Sequence, residues 1–286
     1  MTAIQALASM PNALSNWGGQ MLAAGDDPLS HVVPHKIFNE ITNHAMMFVL
    51  AGILLLIFVP LAARKKDLVP KGFRNFLEAI LQFIREDVAR PALGDKTDRY
   101  IPFLWTMFAL ILTANLLGLI PLGSFFGLAM QDKHAMHWGG TATSNFGITA
   151  GLAICSFLLF HIAGMREQGV GKYLYETFLG HAPWPLWPLF IPLELVGALV
   201  KPFALAIRLF ANMTGGHIVV AVLLGFAITG IQMGIDGSPG MFGVTLASAA
   251  GAVAINLLEV FVAFLQAYIF TILTAVYIGS SAHPEH

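Results

Sequence analysis

Long stretches of this chain lack the polar positions that a folded soluble domain would place on its surface. No Asp, Glu, Lys or Arg occurs from Ile41 to Ala63, and the centre, AMMFVLAGILLLIFVPLAA, is apolar on every helical face. A helix needs about 20 such residues to cross a hydrocarbon core about 30 Å thick, so residues 41–63 predict a membrane span. Two further stretches, 101–122 and 145–165, predict spans of the same kind. Small residues at Gly147 and Gly151 permit close helix packing in the third span. The loop between these two stretches carries Asp132, Lys133, His134 and His137.

Residues 71–90 (KGFRNFLEAILQFIREDVAR) follow a different rule. Phe73, Phe76, Leu77, Ile80, Leu81, Ile84 and Val88 recur at helical spacing, and charges fill the opposite face. That pattern predicts an amphipathic helix lying on the membrane surface. The same pattern fits a helix packed on a partner protein.

The last third is nearly free of charge. From Thr177 to Pro284 only five residues are charged: Glu194, Lys201, Arg208, Asp236 and Glu259. Asp236 opens the run Asp-Gly-Ser-Pro-Gly, which breaks a helix. It leaves two arms, about 188–232 and 241–279, each longer than about 55 Å if helical. No polar turn interrupts either arm, so a long tilted hairpin is expected; a bend at Gly215-Gly216 or Gly251, or a double crossing, are the alternatives. The expected fold is an all-α polytopic membrane protein, with about five membrane-inserted helices plus one amphipathic surface helix. Residues 1–40 read as an exposed N-terminal tail and 41–286 as a single membrane domain.

Composition agrees with lipid as the solvent. Of 286 residues 57% are hydrophobic and 11% charged, where a soluble domain carries about 25% charge. Mean hydropathy is +0.73. A net charge of −1 argues against a nucleic-acid partner held by bulk charge. Cys155 is the only cysteine, which excludes an intrachain disulfide and a multi-cysteine metal site; in its apolar run it reads as an inert buried thiol. The first basic residue is Lys36, so no secretory signal peptide is expected. Segments 64–99 and 166–176 carry eleven Lys and Arg residues, among them the knot Arg64, Lys65, Lys66, Lys71 and Arg74, against two in the tail and the 122–144 loop. The positive-inside rule then places the N-terminus outside and the C-terminus in the cytoplasm.

Charges inside these arms need a reason, because one at mid-membrane costs roughly 2.5–3.5 kcal/mol on the insertion scale. Snorkelling toward a helix end suits Glu194 and Lys201. It suits Arg208 and Glu259 less, since long uncharged stretches follow them. Glu194, Lys201 and Arg208 are spaced by seven and form one stripe, which Asn212 continues one turn on. On the other arm Asn256, Glu259 and Gln266 share a face. If the arms fold antiparallel about residues 237–238, His217 and Glu259 lie nearly equidistant from the turn, as do Arg208 and Gln266. Each pair is therefore expected at one level. A purely structural ion pair is the alternative. Arginine stays protonated and is a fixed positive charge, whereas histidine and glutamate titrate. A titratable pair leading toward a permanent cation has the makings of a proton path with an electrostatic barrier at its end.

With these residues in view, the chain resembles subunit a of the bacterial ATP synthase membrane sector. The resemblance is carried by KPFALAIRLFANMTGGH (Lys201–His217), with its R-L-F-x-N-M block, and by LQAYIFTILTAVYI (Leu265–Ile278), with its Q-A-x-I-F block. YIPFLWTMFALILTANLLGLIP (Tyr100–Pro121) and Glu194 upstream of the arginine support it. It covers the chain from about residue 27, apart from the 124–144 loop. The resemblance implies that Arg208 is the stator arginine. It implies that Asn212, Gln266, His217 and Glu259 belong to the outer half-channel, and Glu194 to the cytoplasmic side. Some members have glutamate where this chain has His217 and histidine where it has Glu259, so acid and imidazole are exchanged. The resemblance further implies a bacterial inner-membrane protein working against a c-subunit ring and b-type stalk subunits, linked indirectly to a catalytic head, with no cofactor and no metal.

ATP chemistry is not expected in this chain, which has no G-x-x-x-x-G-K-[ST] phosphate loop. A stand-alone cation transporter or channel is the first rival, since it too places ionisable groups at mid-membrane. An intramembrane metalloenzyme is the second: His31 and His35 are four apart and His134 and His137 three apart, so either pair could share a helix face.

Overall fold

The computed structural model of the chain describes residues 36–38, 41–63, 72–120, 141–178, 184–236, 238 and 240–282. The His31/His35 and His134/His137 pairs, the basic knot from Arg64 to Lys71 and most of the tail lie outside the described residues. Lys36–Phe38 (β1) and Ile41–Thr42 (β2) form a short antiparallel pair, Lys36 opposite Thr42 and Phe38 opposite Ile41. Every other regular element is helical.

Helix α1 spans Asn43–Ala63 and starts where Thr42 Oγ1 accepts the Ala45 N–H, a side-chain cap for a donor that the first turn leaves unpaired. Helix α2, Phe73–Phe83, is the amphipathic segment. It does not end in a loop. A π-helical turn at Ile84–Ala89, a single helical turn α3 at Arg90–Leu93 and a 3-10 turn at Gly94–Lys96 lead into α4, Thr97–Leu119. Ile84, Val88, Ala89 and Leu93 are buried and carry the apolar face through the junction. The amphipathic helix and the apolar α4 are therefore continuous.

Helix α5, Phe146–Gln168, is capped by Asn145, whose Oδ1 accepts the Gly147 N–H at 2.8 Å. A nine-residue helix, α6 (Val170–Phe178), follows Gly169, whose positive φ of 85° turns the chain. The two arms are unbroken helices: α7, Trp187–Ile235, of 49 residues and α8, Met241–Ala282, of 42. Pro192 and Pro202 stand inside α7 without ending it. At about 1.5 Å per residue, both arms are more than twice as long as the hydrocarbon core is thick. Among the described residues, five stretches are long and apolar enough to cross a membrane: Asn43–Leu61, Arg74–Leu119, Phe146–Gln168, Trp187–Ile235 and Met241–Ala282. The chain is an all-α polytopic membrane protein.

The described residues divide into two compact units. The larger takes Lys36–Met213 with the stretch from Val260 onward. Its core joins Leu104, Phe108 and Ile111 of α4, Phe160 of α5, Leu205 and Leu209 of α7, and Phe270 and Ile278 of α8. The last turns of α8 are tied down there. Lys96 Nζ donates to Ala282 O at 3.1 Å and pairs with Glu167 at 3.0 Å, Arg99 pairs with Glu167 at 2.6 Å, and Gln168 Nε2 donates to Ser281 O at 2.7 Å. The smaller unit holds Thr214–Glu259, the two helix ends joined by the 236–240 turn. Thr245 Oγ1 reaches Ala227 O there at 3.2 Å.

Two local expectations need correction. Gly151 packs against nothing, and the only atom near a Cβ at Gly147 would be the capping Asn145 side chain. The close approach in α5 falls at Gly164, against the Tyr173 ring. Cys155 is exposed, not buried. In a membrane helix both the packed and the lipid-facing sides are apolar, so an apolar run does not tell one from the other.

Candidate functional site

The smaller unit brings His217 of α7 and Glu259 of α8 together, with Nδ1 and Oε1 3.7 Å apart. The antiparallel course of the two helices about their common turn sets this level. The Glu259 side chain is 7% exposed and that of His217 24%, so the carboxylate is the inner member. Gly216 makes room for it: a Cβ at that position would collide with Glu259 Oε1. A larger residue beside the histidine would make the carboxylate shift from this position. At this separation the groups attract when both are charged, without a direct hydrogen bond.

In the larger unit, Asn212 Nδ2 donates to Gln266 Oε1 at 2.8 Å. Gln266 is buried and its Nε2 has no acceptor among the described residues. Leaving such a group unsatisfied costs about 1–3 kcal/mol. The partner of Gln266 is thus Asn212, one turn beyond Arg208. Arg208 is half-buried and makes no ion pair among the described residues. Glu194 is half-buried on the first third of α7. Lys201 Nζ lies 5.5 Å from the centroid of the Tyr277 ring, a cation–π contact that eases its place in an apolar setting.

A further buried polar group was not singled out by the spacing argument. Asn115 of α4 is fully buried, accepts from Thr143 Oγ1 at 2.7 Å and donates to Ala263 O at 3.4 Å. Ala263 lies on α8 between Glu259 and Gln266. Fully buried His44 reaches Thr141 O at 2.9 Å, and Ser144 Oγ is 3.4 Å from its ring. The signal in the sequence was a lone asparagine inside the apolar 101–122 stretch and a histidine at the mouth of the first span. Among the described residues no group of three or more His, Cys, Asp or Glu side chains is placed to hold a metal ion. Among the described residues these groups place titratable and hydrogen-bonding side chains on helices long and apolar enough to cross a membrane.

The family model described as ATP synthase A chain matches residues 44–279. A protein of Anaeromyxobacter sp. (strain Fw109-5) named ATP synthase subunit a is 41% identical over 258 residues, 88% of this chain and 57% of its own length. The ATP synthase subunit a of Myxococcus xanthus is 41% identical over 251 residues, 86% of this chain and 74% of its own. That of Chlorobium phaeobacteroides is 39% identical over 277 residues, 91% of this chain and 72% of its own. The chain spans little more than half the length of the Anaeromyxobacter relative. A family match over most of the chain, with relatives near this identity covered over more than two thirds of their length, leads to one statement: the chain belongs to the ATP synthase subunit a family.

Proposed function

We propose that this chain is the proton-translocating stator subunit of a rotary ATP synthase. In this reading a ring of small c subunits, each with one mid-membrane carboxylate, turns against α7 and α8. Protons enter by an outer half-channel containing His217, Glu259, Asn212 and Gln266. They ride the ring and leave on the cytoplasmic side near Glu194. Arg208 separates the two half-channels and draws each deprotonated carboxylate past the interface. Each unit charge crossing the membrane yields about 2.3 kcal/mol per 100 mV. ATP chemistry belongs to the catalytic head, held by b-type stalk subunits, and this chain performs none. The chain lies in the bacterial inner membrane, N-terminus outside and C-terminus cytoplasmic.

The observation that carries the reading is the titratable His217–Glu259 pair at 3.7 Å, on the two long helices that also carry Arg208, Asn212 and Gln266. A fixed cation and a movable proton have to be separate groups for the device to work. A guanidinium and an imidazole–carboxylate pair supply the two kinds.

The test is Arg208→Lys in the assembled complex. A lysine can lose its proton and lacks the planar fork. ATP-driven acidification of inverted vesicles should fall by about tenfold or more, equivalent to about 1.4 kcal/mol, while the complex still assembles and hydrolyses ATP. Near-normal pumping by the lysine variant removes Arg208 from the assigned role.

A further inference from the structure

Helix α6 (Val170–Phe178) has three sides with different surroundings. One side is fixed to protein. Tyr173 is buried, its ring fills the space that a Cβ on Gly164 would need, and its hydroxyl is 2.6 Å from His161 Nδ1. A second side carries Lys172 and Glu176, one turn apart, paired at 3.5 Å and partly exposed. The third side carries Val170, Leu174 and Tyr175, which are 57%, 45% and 52% exposed. At about 100° per residue Val170 and Leu174 lie roughly opposite the charged pair, and Tyr175 edges this apolar side on the flank toward Lys172. No described part of the chain covers it.

Position supplies the occupant. Nine residues make a helix of about 13 Å, too short to cross a core about 30 Å thick. Yet α6 stands between the ends of two membrane-crossing helices, α5 and α7, so it lies at one face of the bilayer. The outward stripe of α5 leads to it: Ile154, Leu158 and Ile162 are 53%, 52% and 45% exposed, and Arg166 continues the same four-residue step and is exposed. An apolar stripe ending in an arginine is how a membrane helix marks headgroup level. Val170 follows one turn later, after Gly169 has redirected the chain.

We infer that α6 is an interfacial helix whose Val170–Leu174 face, edged by Tyr175, is seated in the headgroup–acyl boundary of the phospholipid leaflet, with Arg166 at phosphate level and the Lys172–Glu176 side in water. Tyr173 is the pin that holds this attitude, through Gly164 and His161. Helix α6 is then a membrane-surface anchor in addition to the amphipathic α2.

Nitroxide scanning of the assembled complex tests this directly. In a Cys155→Ser background, single labels at Leu174→Cys, Tyr175→Cys and Lys172→Cys are read in vesicles of phosphatidylcholine and phosphatidylglycerol. Labels at 174 and 175 should collide with oxygen several-fold more readily than with a water-soluble nickel complex, and the label at 172 should show the reverse order. Preference for nickel at both 174 and 175 means that the face is in water and overturns the inference. Suppressed collisions with both reagents at 174 and 175 mean that protein covers the face, and overturn it as well. Two labelled positions guard against one label disturbing the helix locally.

Discussion

At the scale of the residue, the His217–Glu259 contact depends on three side chains, counting the absent one at Gly216. Equal distance from the 236–240 turn is legible in the sequence, because antiparallel helices of equal rise bring such residues to one level. The gap of 3.7 Å and the inner position of the carboxylate were not legible. Nor was the role of Gly216, since glycine in a membrane helix has many uses. The partner of Gln266 also needed the structure: helical rotation chose Asn212 over Arg208. If the pair acts as a unit, exchanging both members should preserve more than deleting either. His217→Glu combined with Glu259→His should retain clearly more ATP-driven pumping than His217→Ala or Glu259→Ala alone. A double exchange no better than the single alanines would show that the two residues act separately.

At the scale of the element, helix type and extent follow from apolar run length, and the ends follow from caps and glycines. The amphipathic segment was readable by its period. Its uninterrupted passage into the second span was not, since buried Ile84, Val88 and Leu93 hold the junction together by tertiary packing. Nine residues of α6, with two Tyr and one Gly, give too short a pattern to stand out beside the spans. The C-terminal turns of α8 illustrate how position is fixed. Gly279 presses on the backbone of Ala92, so that a Cβ would collide with its carbonyl oxygen. The Lys96–Glu167–Arg99 cluster closes the same corner. Overpacking of this kind costs about 1–3 kcal/mol. Gly279→Val should therefore lower the thermal unfolding midpoint of the detergent-solubilised chain by several degrees. The exposed Ser280→Val beside it should leave the midpoint nearly unchanged, and equal shifts for the two would mean that the close approach carries no weight.

At the scale of the whole molecule, membrane orientation is set by charge outside the spans, where Lys and Arg are costly to move across. An impermeant maleimide should label Asp95→Cys, in a Cys155→Ser background, in inverted vesicles and not in right-side-out ones. Asp236→Cys, in the exposed turn, should show the opposite. Labelling in the reverse sense would invert the assignment of inner and outer half-channels. The sequence by itself determined that the chain is helical and membrane-embedded, about where its spans run, and which polar residues stand where lipid forbids idle charge. It could do so because hydrocarbon leaves backbone amides no partner but their own helix, so length and polarity decide. Only the tertiary structure decided which side of each helix meets protein and which is left for lipid. Apolar side chains suit both, and the choice is made by close packing and by a few buried or partly buried hydrogen bonds such as those of Asn115, Gln266 and Tyr173.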